Sequence, residues 1–191
     1  MSLRNLHKML VAFPFFACTS LFAAPLVVDV AGIQSYNRIG SPENTVLLFD
    51  VGANATIDSL SYAVNLTAYG RSFLSEMRLA FTNSAQTMGV FLTPGIDDIA
   101  PGTGSYAQSA NLADINLDFA VGNDGILRLE FFEGFNDIAG SDGQWNFGTI
   151  TFGVNAPAQS VPEPAGVLLL GAGLVLMGCA RRRRGAGTRA M

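Results

Sequence analysis

Apolar and polar residues alternate with a period of two through most of the middle of the chain, the pattern of strands with one buried face. In LSYAVNLTAY, Leu60, Tyr62, Val64, Leu66 and Ala68 share one face, and Ser61, Asn65 and Thr67 take the other. Met77, Leu79 and Phe81 oppose Glu76, Arg78 and Thr82 in EMRLAFT. Ile115, Leu117, Phe119 and Val121 oppose Asp114, Asn116 and Asp118 in DINLDFAV, and Leu127, Leu129 and Phe131 alternate with Arg128 and Glu130 in LRLEFFE. TVLLFDV is more continuously apolar and fits a central strand. In QWNFGTITFGV the phase slips: Trp145 and Phe147 are odd, whereas Ile150, Phe152 and Val154 are even. Gly148 between them points to a bulge that shifts the register.

Turn residues punctuate these runs. Asn123-Asp124-Gly125 and Asp142-Gly143 suit tight turns that need positive φ, and TPGIDDIAPGTG reads as a longer loop over 93–104. Strands are predicted near 26–33, 45–51, 56–69, 76–82, 87–92, 112–121, 126–133 and 145–154. Helical periodicity is scarce. The predicted fold is all-β, an antiparallel β-sandwich, jelly-roll-like, of about eight strands.

The two ends follow other rules. MSLRNLHK followed by MLVAFPFFACTSLFAA is a positive segment, then an apolar core, then small residues, which predicts a secretory signal peptide over 1–24. Near the other end, Pro157, Pro162 and Pro164 keep the linker 156–164 extended. Ala165 to Ala180 carries no charge and predicts a short transmembrane helix, halted by Arg181, Arg182, Arg183 and Arg184. The positive-inside rule leaves those arginines, in the tail 181–191, on the cytoplasmic side. The β domain occupies 25–155.

Val161, Pro162, Glu163 and Pro164, the apolar run after them and the arginine cluster occur in that order. In this the segment resembles the PEP-CTERM sorting signal of Gram-negative bacteria, over the stretch from Val161 onward. GAGTRAM follows the arginines here, where the family often stops sooner. The resemblance implies recognition by an exosortase, a membrane-embedded cysteine transpeptidase that cuts near the triplet. It also implies a surface or matrix protein in a host that makes extracellular polysaccharide.

Charge and composition narrow what the middle does. The chain has 191 residues and a formal charge of −4. Between the two ends, however, every acid except Glu163 is opposed only by Arg38, Arg71, Arg78 and Arg128, a net of −10. Nucleic acid is excluded as a partner, because phosphate needs clustered Lys and Arg. Cys18, Cys179 and His7 all lie in the end segments. The β domain therefore has no disulfide, no Ser-His-Asp or Cys-His arrangement and no nitrogen or sulfur ligands for zinc. A carboxylate pair drawn from Glu130, Glu133 and Asp137 is the remaining catalytic chemistry. Calcium prefers oxygen ligands, and Asp97, Asp98, Asp124, Asp137 and Asp142 all fall in predicted loops. Plain turn chemistry accounts for the same residues and is the reading their spacing favours. Tyr36 and Tyr106 could stack on sugar rings, whereas a lone Trp145 is more often core.

These features predict a non-enzymatic exported protein of the cell surface or extracellular matrix, with an exosortase and the membrane as its partners. The alternatives are a module that binds extracellular polysaccharide, with or without calcium, and a secreted carbohydrate-active enzyme.

Overall fold

The computed structural model describes residues 24–157. The predicted signal peptide, Pro-Glu-Pro motif, membrane span and arginine cluster lie outside them. Among the described residues no helix is long and apolar enough to cross a membrane. The chain separates into two units after Pro157.

The described part is all-β, with ten strands in two antiparallel sheets. They are β1 (Leu26–Asp29), β2 (Ile33–Ser35), β3 (Thr45–Asp50), β4 (Thr56–Ala68), β5 (Met77–Asn83), β6 (Gly89–Leu92), β7 (Gly102–Asn111), β8 (Phe119–Ala120), β9 (Ile126–Glu133) and β10 (Gly143–Asn155). The larger sheet runs β1-β10-β4-β7, with β2 also on β10 and β8 on β4. The smaller runs β3-β9-β5-β6.

The inner faces share one core. Leu60, Val64, Leu66, Ile150 and Phe152 from the larger sheet meet Met77, Leu79, Phe81, Leu127, Leu129 and Phe131 from the smaller. Aromatic pairs join the sheets: Phe131 meets Trp145 edge to face at 5.1 Å, and Phe81 meets Phe152 at 5.2 Å. Such pairs stabilise beyond their burial alone. Trp145 is thus core, fully buried.

The alternation in β4, β5, β9 and β10 is realised as predicted, and the phase slip in β10 is a bulge. Trp145 pairs with Leu66 and Phe147 with Asn65, so Asn146 is the extra residue. The bulge turns Phe147 outward to 61% exposure, correcting its expected place beside Trp145. Gly148 has φ +122, and a Cβ there would sit 2.2 Å from the Ala63 carbonyl oxygen. A second register shift skips Asp58, which brings Ile57 back to the core face.

Four expectations are corrected. The predicted 26–33 strand is split in two by a turn in which Asp29 Oδ1 accepts the Ala31 N–H and Gly32 takes φ +77. TVLLFDV forms β3, an edge strand, and its outward Val46 and Leu48 stay 40% and 64% exposed. The alternating 112–121 segment is mostly not a strand. Leu112 to Ile115 coil into a short turn closed by the left-handed Asn116, so Ile115 and Leu117 are exposed and only Phe119–Ala120 pairs. The strand in that part of the sheet is β7 instead, which begins inside the predicted loop. Finally, Gly143 opens β10 rather than a tight turn; a Cβ there would meet Met77 Cε at 2.7 Å.

Candidate functional site

The five aspartates expected in loops lie in three separate places. Asp97 and Asp98 sit between β6 and β7, where Asp98 accepts the Tyr106 hydroxyl at 2.9 Å. Burial, then that acceptor, push the Tyr106 phenol up to about 12. Asp124 is exposed in the turn before β9. Hydrogen bonds from the Ser84 hydroxyl and the Ile126 amide hold it below the usual carboxylate range. Asp137 and Asp142 share the β9–β10 loop, but Asp142 spends its oxygens on the backbone N–H groups of Asp137 and Ile138, at 3.1 and 3.2 Å. Among the described residues no three acids, histidines or cysteines converge as a metal site would require.

A different acid stands out. Glu133 ends β9 on the core side, and its neighbours Ser35 and Asp142 are, like it, fully buried. The Ser35 hydroxyl donates to Glu133 Oε1, and the Glu133 amide donates to the Asn37 carbonyl at 2.8 Å. Burial raises the Glu133 carboxyl to about 8. The negative charges of Asp142 and Glu76 add to that rise, while the Ser35 bond and Arg78 oppose it. Burial likewise raises Asp142, against its two amide donors. Glu133 is therefore a neutral acid at pH 7, and no solvent-borne substrate can touch it. Its bonds tie β9 to Ser35 at the end of β2 and to the chain that follows at Asn37.

Glu130 lies three residues earlier on the opposite face of the same strand. Its Oε2 pairs with Arg128 Nη2 at 2.7 Å, and its Oε1 accepts the Gly40 amide at 2.6 Å and Asn44 Nδ2 at 2.9 Å. These partners outweigh the upward push of burial and hold the carboxyl below its ordinary value. Glu130 and Glu133 thus sit on opposite faces of β9 and do not face one another. Tyr36 donates to Gln34, and Tyr106 packs on the core, so the two tyrosines form no shared sugar platform.

The clearest concavity was not foreseen. It is an open groove of about 670 Å³ on the outer face of the larger sheet, lined among others by Asp58, Ser59, Ser61, Ser109, Asn111 and Thr151. Gly153 shapes it: a Cβ there would fall 1.9 Å from Ser59 Oγ and 2.4 Å from Asp58 Oδ1. No sequence motif announces the groove. The alternation did predict an outward Ser61, but the strand opposite it, β7, was not recognised.

The described part is thus a two-sheet β domain, with its polar surface chemistry on the outer sheet faces. The family comparison finds a match in the tail: residues 160–184 match the PEP-CTERM protein-sorting motif. That match includes Val161, Pro162, Glu163 and Pro164 as well as Arg181 to Arg184. No family matches the central domain, and no curated protein matches the chain. Among solved structures, dimeric latent PorU from Porphyromonas gingivalis is similar at 11% identity and TM-score 0.35, over 74% of this chain and 14% of that one. The VP2 subviral particle of infectious bursal disease virus is similar at 12% identity and TM-score 0.26, over 78% and 38%. The coat protein dimer of Tobacco streak virus follows at 10% identity and TM-score 0.28, over 74% and 91%. The chain spans only a minor part of the first two, and TM-scores this low establish neither a shared fold nor a shared role.

Proposed function

We propose that the chain is an exported precursor, held at the cytoplasmic membrane by its C-terminal segment and processed there by an exosortase. Processing delivers a non-enzymatic β domain to the cell surface or the extracellular matrix. The observation that carries this reading is the PEP-CTERM protein-sorting motif at residues 160–184. In sequence, the apolar run and arginine cluster after the triplet fit a membrane stop, and prolines at 157, 162 and 164 favour an extended cleavage segment. The domain suits such a role: it is a jelly roll in the order of its eight longer strands, with β1, β10, β4 and β7 in one sheet and β3, β9, β5 and β6 in the other. Residues 24–157 contain no cysteine, so the core forms without a disulfide. Replacing Pro162, Glu163 and Pro164 with alanine tests the reading by cell fractionation. The expected outcome is full-length chain retained in the membrane; unchanged processing would contradict it.

A further inference from the structure

The outer face of the larger sheet differs in charge from the rest of the domain. β4, β7 and β10 together hold one charged residue, Asp58, in a region whose net charge is −10. Strand pairing sets Thr151, Ser61 and Ser109 side by side as a row of hydroxyls across three strands. Two rows further along β10, Phe147, Asn65 and Ser105 lie side by side. That is about 13 Å from Thr151 at the usual strand rise. A ladder fixes this second region: Asn146 Nδ2 donates to Asn65 Oδ1 at 2.7 Å and to Thr67 Oγ1 at 2.8 Å, and Asn65 Nδ2 donates to Ser105 Oγ at 2.7 Å. The Phe147 ring, set outward by the bulge, stands beside the ladder. The groove lies at the other end, on the hydroxyl row.

We propose that this face binds an uncharged polysaccharide, seated in the groove at Asp58, Ser59, Ser61 and Ser109 and running along β10 to Phe147. Hydroxyls and amides both donate and accept, as the hydroxyls of a sugar do. An exposed aromatic ring offers an apolar surface to the C–H face of a sugar ring. Two carboxylates, Asp58 and the exposed Asp29 of β1 beside Thr149, and no cation on the face, within an acidic domain, disfavour a polyanion. Too few apolar side chains face outward here for a protein partner's hydrophobic core. The proposal gives the polysaccharide-binding alternative a place on the molecule and does not depend on tail processing.

Affinity electrophoresis of the exported protein, through gels containing hydroxyethyl cellulose, dextran, galactomannan or alginate, is the test. Retardation is expected in at least one of the three neutral gels and not in alginate. Phe147→Ala should weaken it roughly tenfold. Ser61→Glu, which puts a charge in the hydroxyl row, and Gly153→Val, which fills the groove by displacing Ser59 and Asp58 side chains, should abolish it. Leu48→Glu, on the other sheet, should leave it unchanged. Thermal melting of each variant separates lost binding from lost folding. No retardation in any neutral gel, retardation in alginate alone, or retardation that survives both Ser61→Glu and Gly153→Val would overturn the proposal. Tail processing, read by mass in the same samples, should be unaffected by every variant, so a failure here is distinguishable from a failure of the sorting reading.

Discussion

The two outer sheet faces are built on opposite principles. On the smaller sheet Arg78, Arg128 and Glu130 face outward and are partly or fully covered, while Val46, Leu48 and Phe91 stay exposed. Glu130 is fully buried beneath Arg128, Asn44 and the Gly40 backbone, and Phe132 is buried while meeting the more exposed Phe91 edge to face at 5.7 Å. On the larger sheet the outward side chains of β4, β7 and β10 are, Asp58 aside, neutral, and Ser61, Ala63 and Ser109 are open to solvent. A segment of chain, from Asn37 to Asn44, lies against the first face; nothing among the described residues folds over the second at Ser61, Ala63 and Ser109. The lesson is about cost. A buried charged network must be complete, because removing one member strands the others without water. A solvated hydroxyl face tolerates change and remains free for a ligand.

The largest expected effect follows from that contrast. Glu130→Ala removes the partner of Arg128 and the acceptor of Asn44 and Gly40, and should cost about 4 kcal/mol in denaturant unfolding. A cost below about 1 kcal/mol would show the network to be as dispensable as a surface pair. Next comes Gly148→Ala. It places a Cβ against the Ala63 carbonyl oxygen at positive φ, and about 3 kcal/mol is expected from the same measurement. Asn65→Ala, on the open face, should cost only about 1 kcal/mol, because water replaces its partners. Equal losses for Glu130→Ala and Asn65→Ala would erase the distinction between the faces.

Between the two faces, the buried end of β9 sets a pH dependence. The folded state keeps the Glu133 proton to about pH 8, whereas an ordinary glutamate releases it near 4.5. The folded state therefore binds more protons in that window, and stability falls as pH rises across it, by at most about 1.4 kcal/mol per pH unit. Below 4.5 the contribution is complete; above 8 it is lost. Glu133→Gln, neutral at every pH and still able to accept the Ser35 hydroxyl, should flatten that slope. Urea titrations at several pH values read it directly, and an unchanged slope in the variant would assign the dependence to other groups.

Much of this was legible in the sequence where residues obey one rule at a time. Leu60 to Ala68, Met77 to Phe81 and Leu127 to Phe131 alternate cleanly because each faces core on one side and another environment on the other. The same parity, carried two residues past Phe131, places Glu133 on the core face; the buried acid was written in the pattern and is unusual only chemically. β7 was illegible because its inward positions are Gly104, Tyr106, Gln108 and Ala110, too small or too polar to show a period of two. The 112–121 stretch misled for the opposite reason. Its alternation is real, but Asn116 turns left-handed and the Leu112 carbonyl accepts the Leu117 amide at 2.9 Å, a local turn that prevails over strand pairing. The loop aspartates were placed in loops correctly. Convergence on a metal is a property of tertiary distance, and sequence spacing does not encode it.

The central claim concerns delivery, and intact-mass spectrometry of the exported protein tests it most directly, in host strains with and without the exosortase. The account predicts loss of the tail near Pro162 only where the enzyme is present. A complete tail in both strains would contradict it and leave a single-span membrane protein carrying the same β domain.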